Sequence, residues 1–193
     1  MTFSVIPIAK RTCHQTVIKL RYDPTFCMSN RTFNVLFLST QNSARSIMAE
    51  AMMNAVGGRR FRAFSAGSQP AGKLNLFAVE QIRALDESLT GLRSKSWDEF
   101  SAPGAPEMDF VITVCDAASG EPCPNWPGQP ATANWNFRDP AAVHGSVEDI
   151  RQEFFTVCRE IKTRLEIFRN LPEEALDKMA LQRKIARIAG VQL

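Results

Sequence analysis

No apolar run in the sequence approaches the roughly 18 residues that a membrane span needs, so no spanning helix is expected. The first residues, MTFSVIPIAKRTC, hold only a short apolar patch. No basic residue precedes it and Lys10 and Arg11 end it early, which makes a poor secretory signal. Histidine occurs twice, at His14 and His144, and tyrosine once, at Tyr22. The five cysteines, at 13, 27, 115, 123 and 158, are an odd number without metal-ligand spacing. Reduced thiols in a cytoplasmic setting are the expectation, with neither metal nor cofactor. Two phosphate-binding signatures are missing as well. There is no G-x-x-x-x-G-K followed by Ser or Thr, and no G-x-G-x-x-G. Internal repeats are absent, and the only Pro/Gly-rich stretch runs from Gly120 to Pro130.

What is present suits one well-packed α/β domain: 193 residues, 45% apolar and 22% charged. The net charge of +3 belongs to residues 1–30, where Lys10, Arg11, Lys19 and Arg21 face Asp23 alone. The remainder is balanced, which gives no reason to expect a nucleic-acid surface. Residues 1–32 show no sustained apolar period and are read as a tail outside the fold, with Met28 an equally good start.

From residue 33 onward, strands and helices alternate. Phe33 to Leu38 is the apolar run of a strand covered on both faces. A helix is predicted from Ser43 to about Val56, stopped by Gly57-Gly58. RFRAFSAG is a second strand and NLFAVEQIRALDE a second helix. SKSWDEF is a helical turn that Ser96 can cap, with Glu99 at capping-box distance. MDFVITVC and TANWNF read as the third and fourth strands. A long helix from Val147 to Arg169 carries Ile150, Phe154, Val157, Ile161 and Leu165 on one face, and EEALDKMALQRKIARIA forms the last helix. This order implies a three-layer α/β domain with a parallel sheet.

The loop after the first strand, STQNSARS, carries the chemistry. In such folds ligands sit at the carboxyl ends of strands, where a loop feeds a helix N-terminus. Backbone N–H groups from Ser39 through Thr40, Gln41, Asn42, Ser43, Ala44, Arg45 and Ser46 can converge there on an anion. Arg45 offers a two-pronged donor suited to phosphate or arsenate. Asn42 tolerates the left-handed backbone that such a loop requires, and Ser43 and Ser46 can donate to the loop or to its first side chain. An ordinary strand-to-helix turn with a surface Arg is the alternative.

Five segments together, VLFLSTQNSARSIMAEA, FSAGSQPAG, GLRSKSWDEF, FVITVCDAASGEPCPNWPGQP and NWNFRDPAAVHGS, resemble the low-molecular-weight protein tyrosine phosphatase superfamily, and more closely its arsenate reductase branch. The resemblance covers about Phe33 to Gly190. It implies a four-stranded parallel sheet with helices on both faces. The family's loop is a Cys, five residues, Arg, then Ser or Thr, and the Cys thiolate attacks phosphorus or arsenic. Carried over, Arg45 grips the oxyanion, Ser46 supplies the hydroxyl that stabilises the thiolate, and Asp139 matches the Asp-Pro general acid. The resemblance also implies arsenate or phosphate as ligand and a thiol reductant, either a protein or a small thiol. In thioredoxin-coupled relatives two further cysteines carry the oxidising equivalents away. Cys115 and Cys123 match them in part, with one more intervening residue than the usual pattern.

Two departures stand out. Ser39 occupies the nucleophile position, and Gln41 stands where Gly is common. A serine hydroxyl stays protonated at neutral pH without an adjacent base, so oxyanion binding is expected to survive while the covalent chemistry is lost or strongly slowed. Three readings follow: a reductase-type enzyme impaired at Ser39, a non-catalytic oxyanion-binding module, or a phosphatase acting on phosphate esters. The superfamily's phosphatases place Tyr beside the Asp-Pro, whereas this chain has DPAAVHG. His144 is expected to be an exposed loop residue rather than a base for Ser39. Cys115 is either an ordinary buried strand-end residue or reactive, and Cys158 belongs to the core or its edge. Trp97, Trp126 and Trp135 can line the mouth or pack in the interior.

Overall fold

A computed structural model of the chain describes residues 31–85, 87–115 and 124–188. Four strands, β1 (Phe33–Leu38), β2 (Phe61–Ala66), β3 (Phe110–Thr113) and β4 (Ala131–Asn134), form one sheet in the order β2-β1-β3-β4. All neighbours pair in parallel, with Val35 opposite Ala63 on one side and Phe110 on the other. This is the expected α/β class, and its all-parallel pairing demands crossovers that carry helices over the sheet.

Alternation along β1 explains the layers. Phe33, Val35 and Phe37 face the larger core together with residues of α1 (Arg45–Val56), α2 (Leu76–Ala84) and α4 (Val147–Arg169). Leu36 and Leu38 point the other way, into a smaller cluster with Ala66, Phe100, Met108, Val111 and Trp126 under the short α3 (Asp98–Ser101). A central strand buried on both faces has no polar side to show, hence its mostly apolar composition, broken only by the half-buried Asn34. Helix α4 spans the predicted Val147–Arg169 and buries Phe154, Val157, Cys158, Ile161, Leu165 and Phe168. The Phe168 ring lies 5.4 Å from that of Phe61, 5.2 Å from Phe110 and 5.7 Å from Trp135. Leu176 of α5 (Glu173–Ile188) joins the same core.

Three local expectations are corrected. Helix α1 starts at Arg45, two residues later than predicted, because the preceding residues form the loop. At α3, Ser96 Oγ accepts from Asp98 N–H at 3.2 Å, but Glu99 does not close a capping box. Its carboxylate binds Arg93 through both oxygens, a charge-assisted fork stronger than a bond to one amide. Arg31 and Thr32, expected in the tail, are tied to the domain. The Arg31 guanidinium reaches Asp109 and Asp177 and lies 4.7 Å above the Phe33 ring, and Thr32 Oγ1 donates to Arg59 O at 2.9 Å. The rest of the expected tail lies outside the described residues. No described helix is long and apolar enough to cross a membrane.

Candidate functional site

The chain leaves β1 in one direction to make β2 and returns to β1's other side to make β3. The carboxyl end of β1 is therefore the place where successive connections diverge, leaving a crevice above the strand. Residues 39–46 fill that position, and the backbone there is pinned on several sides. Ser39 N–H donates to Ala66 O at 3.2 Å, and the carbonyls of Thr40, Gln41 and Ser43 accept from Gln69, Ala71 and Asn75 N–H, each at 2.9 Å. Gly67 permits this approach: a Cβ there would lie 2.4 Å from Thr40 O and 2.7 Å from Ser39 O.

Asn42 has φ +45°, the left-handed conformation expected of it. Gln41 is exposed and has no positive φ, so the position needs no glycine. The N-cap of α1 is Ala44, which makes no side-chain cap bond. Consequently the N–H groups of Arg45, Ser46 and Ile47 find no acceptor among the described residues and face the loop as donors.

The side chains of the loop converge on one atom. Ser39 Oγ lies 2.7 Å from Ser46 Oγ and accepts from Asn42 N–H at 3.2 Å. The Asn42 amide donates to both Ser46 Oγ, at 2.9 Å, and Ser65 Oγ, at 2.8 Å, while its oxygen accepts from Lys95 N–H at 2.8 Å. Ser46 Oγ accepts from Asn42, and in its 2.7 Å contact with Ser39 Oγ either hydroxyl can donate. An anion at this position can only accept, so toward one Ser46 Oγ and Asn42 N–H would both donate, an arrangement that favours negative charge there. Ser39, Asn42, Ser46 and Ser65 are all buried. Of the two expected hydroxyl donors, Ser46 lies within hydrogen-bond distance of Ser39, whereas Ser43 is bonded through its carbonyl.

Arg45 and Asp139 also meet. Arg45 donates to Phe137 O at 2.8 Å and pairs with Asp139 Oδ2 at 3.1 Å. Asp139 caps the 3₁₀ turn Pro140–Ala142 by accepting from Ala141 N–H at 3.1 Å, and its side chain is 46% exposed. The guanidinium is therefore anchored on the loop after β4, with the carboxylate at the same spot. Cys115 follows β3 and is buried, its sulfur 3.7 Å from Thr40 Oγ1, so a thiol stands one strand away from the Ser39 position. Cys123 lies outside the described residues. Cys158 is in the core, and burial pushes its thiol up to about 11.

His144 is exposed and makes no hydrogen bond to Ser39. The tryptophans pack inward. Trp126 is buried and meets Trp97 edge-on at 6.4 Å, and Trp135 lies 6.0 Å from the Phe37 ring. No group of three or more His, Cys, Asp or Glu among the described residues is placed to hold a metal ion.

Sequence reasoning passed over Glu50, Ser65 and Lys95, which support the loop from below. Ser65 Oγ donates to Glu50 Oε2 at 2.5 Å, and Lys95 Nζ donates to the same oxygen at 3.1 Å. A signal was available: SIMAEAMM is apolar on every side around one glutamate, so that carboxylate had to be paired in the interior.

Comparison with known proteins agrees with this geometry. Residues 34–182 match the model of the family described as low molecular weight phosphotyrosine protein phosphatase. The chain is similar to an arsenate reductase of Oceanobacillus iheyensis, 33% identical over 134 residues covering 69% of this chain and 93% of that one. An arsenate reductase of Bacillus subtilis shows the same identity and coverage, 33%, 69% and 93%. Among solved structures, an arsenate reductase in the phosphate binding state superposes with a TM-score of 0.57 at 25% identity, covering 77% of this chain and 99% of that one. Strand order, loop and relatives converge: the chain belongs to the low molecular weight phosphotyrosine protein phosphatase family, on its arsenate reductase branch.

Proposed function

We propose that this arsenate reductase-like protein binds a tetrahedral oxyanion, arsenate or phosphate, in the Ser39–Ser46 loop, with the family's covalent step blocked at Ser39. The observation that carries this reading is the convergence on one buried atom. Asn42 N–H and Ser46 Oγ meet at Ser39 Oγ, and the loop runs into the first turn of α1, whose N–H groups find no acceptor among the described residues. None of these donors depends on a thiol. Arg45, held by Phe137 O and Asp139, supplies the permanent positive charge.

Position 39 then decides the chemistry. Reduction of arsenic(V) through this residue needs sulfur: a second thiol attacks the sulfur of the arsenylated cysteine, an S–S bond forms as the S–As bond breaks, and the electron pair of the S–As bond leaves with arsenic as arsenite. An arsenate ester of serine has no sulfur to attack, so this route is closed while Ser39 is present. In the family's cycle Asp139 would give a proton to a departing oxygen, a reading its pairing with Arg45 supports, and the 3.7 Å between Cys115 Sγ and Thr40 Oγ1 supports a resolving thiol there, alone or with Cys123. A thioredoxin-like protein or a small thiol is the reductant that such a cycle calls for. The exposed Ala141 and Ala142 after Asp139 provide no aromatic wall for a phosphotyrosine ring, which supports a small inorganic ligand over a phosphate ester.

Thermal melts with millimolar phosphate or arsenate test the binding. The wild-type chain is expected to be stabilised by mass action, and Arg45→Ala to lose most of the shift. A full shift in Arg45→Ala would sink the proposed site. Assays of Ser39→Cys for arsenate reduction and for small aryl phosphate hydrolysis separate the chemistries. Partial reductase activity that falls on adding Asp139→Asn is the expected result. No activity of either kind, with a thiol of ordinary acidity, would leave a pure binding module.

A further inference from the structure

Glu50 and Lys95 form a charged pair in the interior, 7% and 6% exposed, with Lys95 Nζ 3.1 Å from Glu50 Oε2. Such pairs rarely stabilise a fold more than apolar side chains of the same volume would, so stability does not explain this one. Its effect on hydrogen-bond direction does. The Lys95 ammonium also donates to Arg93 O at 3.3 Å, which fixes it beside Glu50. Glu50 Oε2 takes the Ser65 hydroxyl proton at 2.5 Å, which leaves Ser65 Oγ only as an acceptor for Asn42 Nδ2. The backbone N–H of the same lysine donates to Asn42 Oδ1 at 2.8 Å, so the amide cannot turn over. Its second Nδ2 proton goes to Ser46 Oγ at 2.9 Å and holds that hydroxyl 2.7 Å from Ser39 Oγ, where toward an anion at position 39 it can only donate. Glu50 sits one helical turn beyond Ser46 on α1, so the two ends of this chain of bonds are rigidly spaced.

We propose that Glu50 and Lys95 are positioning residues for the oxyanion loop. Through Ser65 and Asn42, the buried pair sets which atoms donate toward position 39. It thereby sets both the affinity for phosphate or arsenate and the acidity of a thiol placed there. The first consequence rests on the oxyanion-binding reading above; the second does not.

The test uses the full chain and two readouts. Lys95→Met alone leaves Glu50 buried and unpaired and is open to misfolding, so the deciding variant is the double Glu50→Leu/Lys95→Met, which removes both charges. Calorimetric titration with inorganic phosphate is expected to give a Kd raised about tenfold or more, the usual scale for loss of a supporting shell. In the Ser39→Cys background, alkylation rate against pH, followed on the peptide holding residue 39, is expected to show the thiol pKa moving back toward about 8.5. Ser65→Ala breaks the same link without touching a charge and is expected to act in the same direction, which keeps the test open if the double variant does not fold. Met53→Ala, a core cavity away from the network, is expected to lower stability while leaving both readouts unchanged. Unchanged phosphate affinity together with unchanged thiol acidity, in the double variant or in Ser65→Ala, would overturn the proposal. Should the wild-type chain take up no phosphate, the oxyanion reading fails, and the thiol titration still decides the positioning role.

Discussion

At the scale of single residues, the contrast between Ser39 and Cys158 shows how surroundings set reactivity. Donors converge on Ser39 Oγ, whereas Cys158 lies in the core, where burial pushes its thiol from 9.0 up to about 11. A consequence for stability follows with a definite sign. Below pH 9 the thiol is protonated in folded and unfolded chains alike. Between about pH 9 and 11 the unfolded chain gives up this proton while the folded chain keeps it, so the contribution is lost as pH rises. Two pK units correspond to a loss of the order of 2–3 kcal/mol. Cys158→Ala, although less stable at neutral pH through the cavity it leaves, is expected to show a shallower alkaline decline. Denaturant midpoints measured from pH 8 to 11 check this; parallel curves for the two proteins would contradict it.

Elements carry their own start and stop chemistry, and α4 shows it best. Ser146 Oγ accepts from Asp149 N–H at 3.2 Å, and Asp149 Oδ2 accepts from Ser146 N–H at 2.8 Å, a complete capping box. The side-chain and backbone hydrogen bonds from Ser146 hold the Asp149 carboxyl below the usual aspartate range. Ser146→Ala is expected to cost about 1 kcal/mol in chemical denaturation, the usual value for loss of an N-cap. No change in stability would mean that the packing of Phe154 and Val157 alone fixes where α4 begins. Helix α1 follows the opposite rule: its N-cap Ala44 makes no side-chain cap bond, and its first-turn N–H groups find no acceptor among the described residues.

On the scale of the whole molecule, the described core is closed by residues 33 onward, with Arg31 and Thr32 as the most N-terminal attachments among the described residues. Removing residues 1–27 is expected to leave stability within about 0.5 kcal/mol, the range of surface changes away from packed features, since that stretch has no core-forming pattern. Equilibrium denaturation of the shortened chain measures this, and a loss of several kcal/mol would reveal a packed element there. The strand order places position 39, Cys115 and Asp139 at one end of the sheet, because each follows a strand of the same parallel set.

The sequence by itself determined the architecture and the identity of the loop. Mostly continuous apolar runs, helix-period stripes and the glycine stop after α1 are local signals, and in a parallel sheet they agree with the global fold. Asn42 was legible for the same reason, since few residues accept a left-handed backbone and the loop needed one. Tertiary structure alone decided the partners. Glu99 turned from its helix end to Arg93, Arg45 met Asp139, and Glu50 found Lys95 across 45 positions of sequence. Local pattern says that a buried carboxylate must have a partner, but not which one. That choice depends on which side chains the packed sheet and helices bring within hydrogen-bond reach, and no sequence spacing encodes those distances.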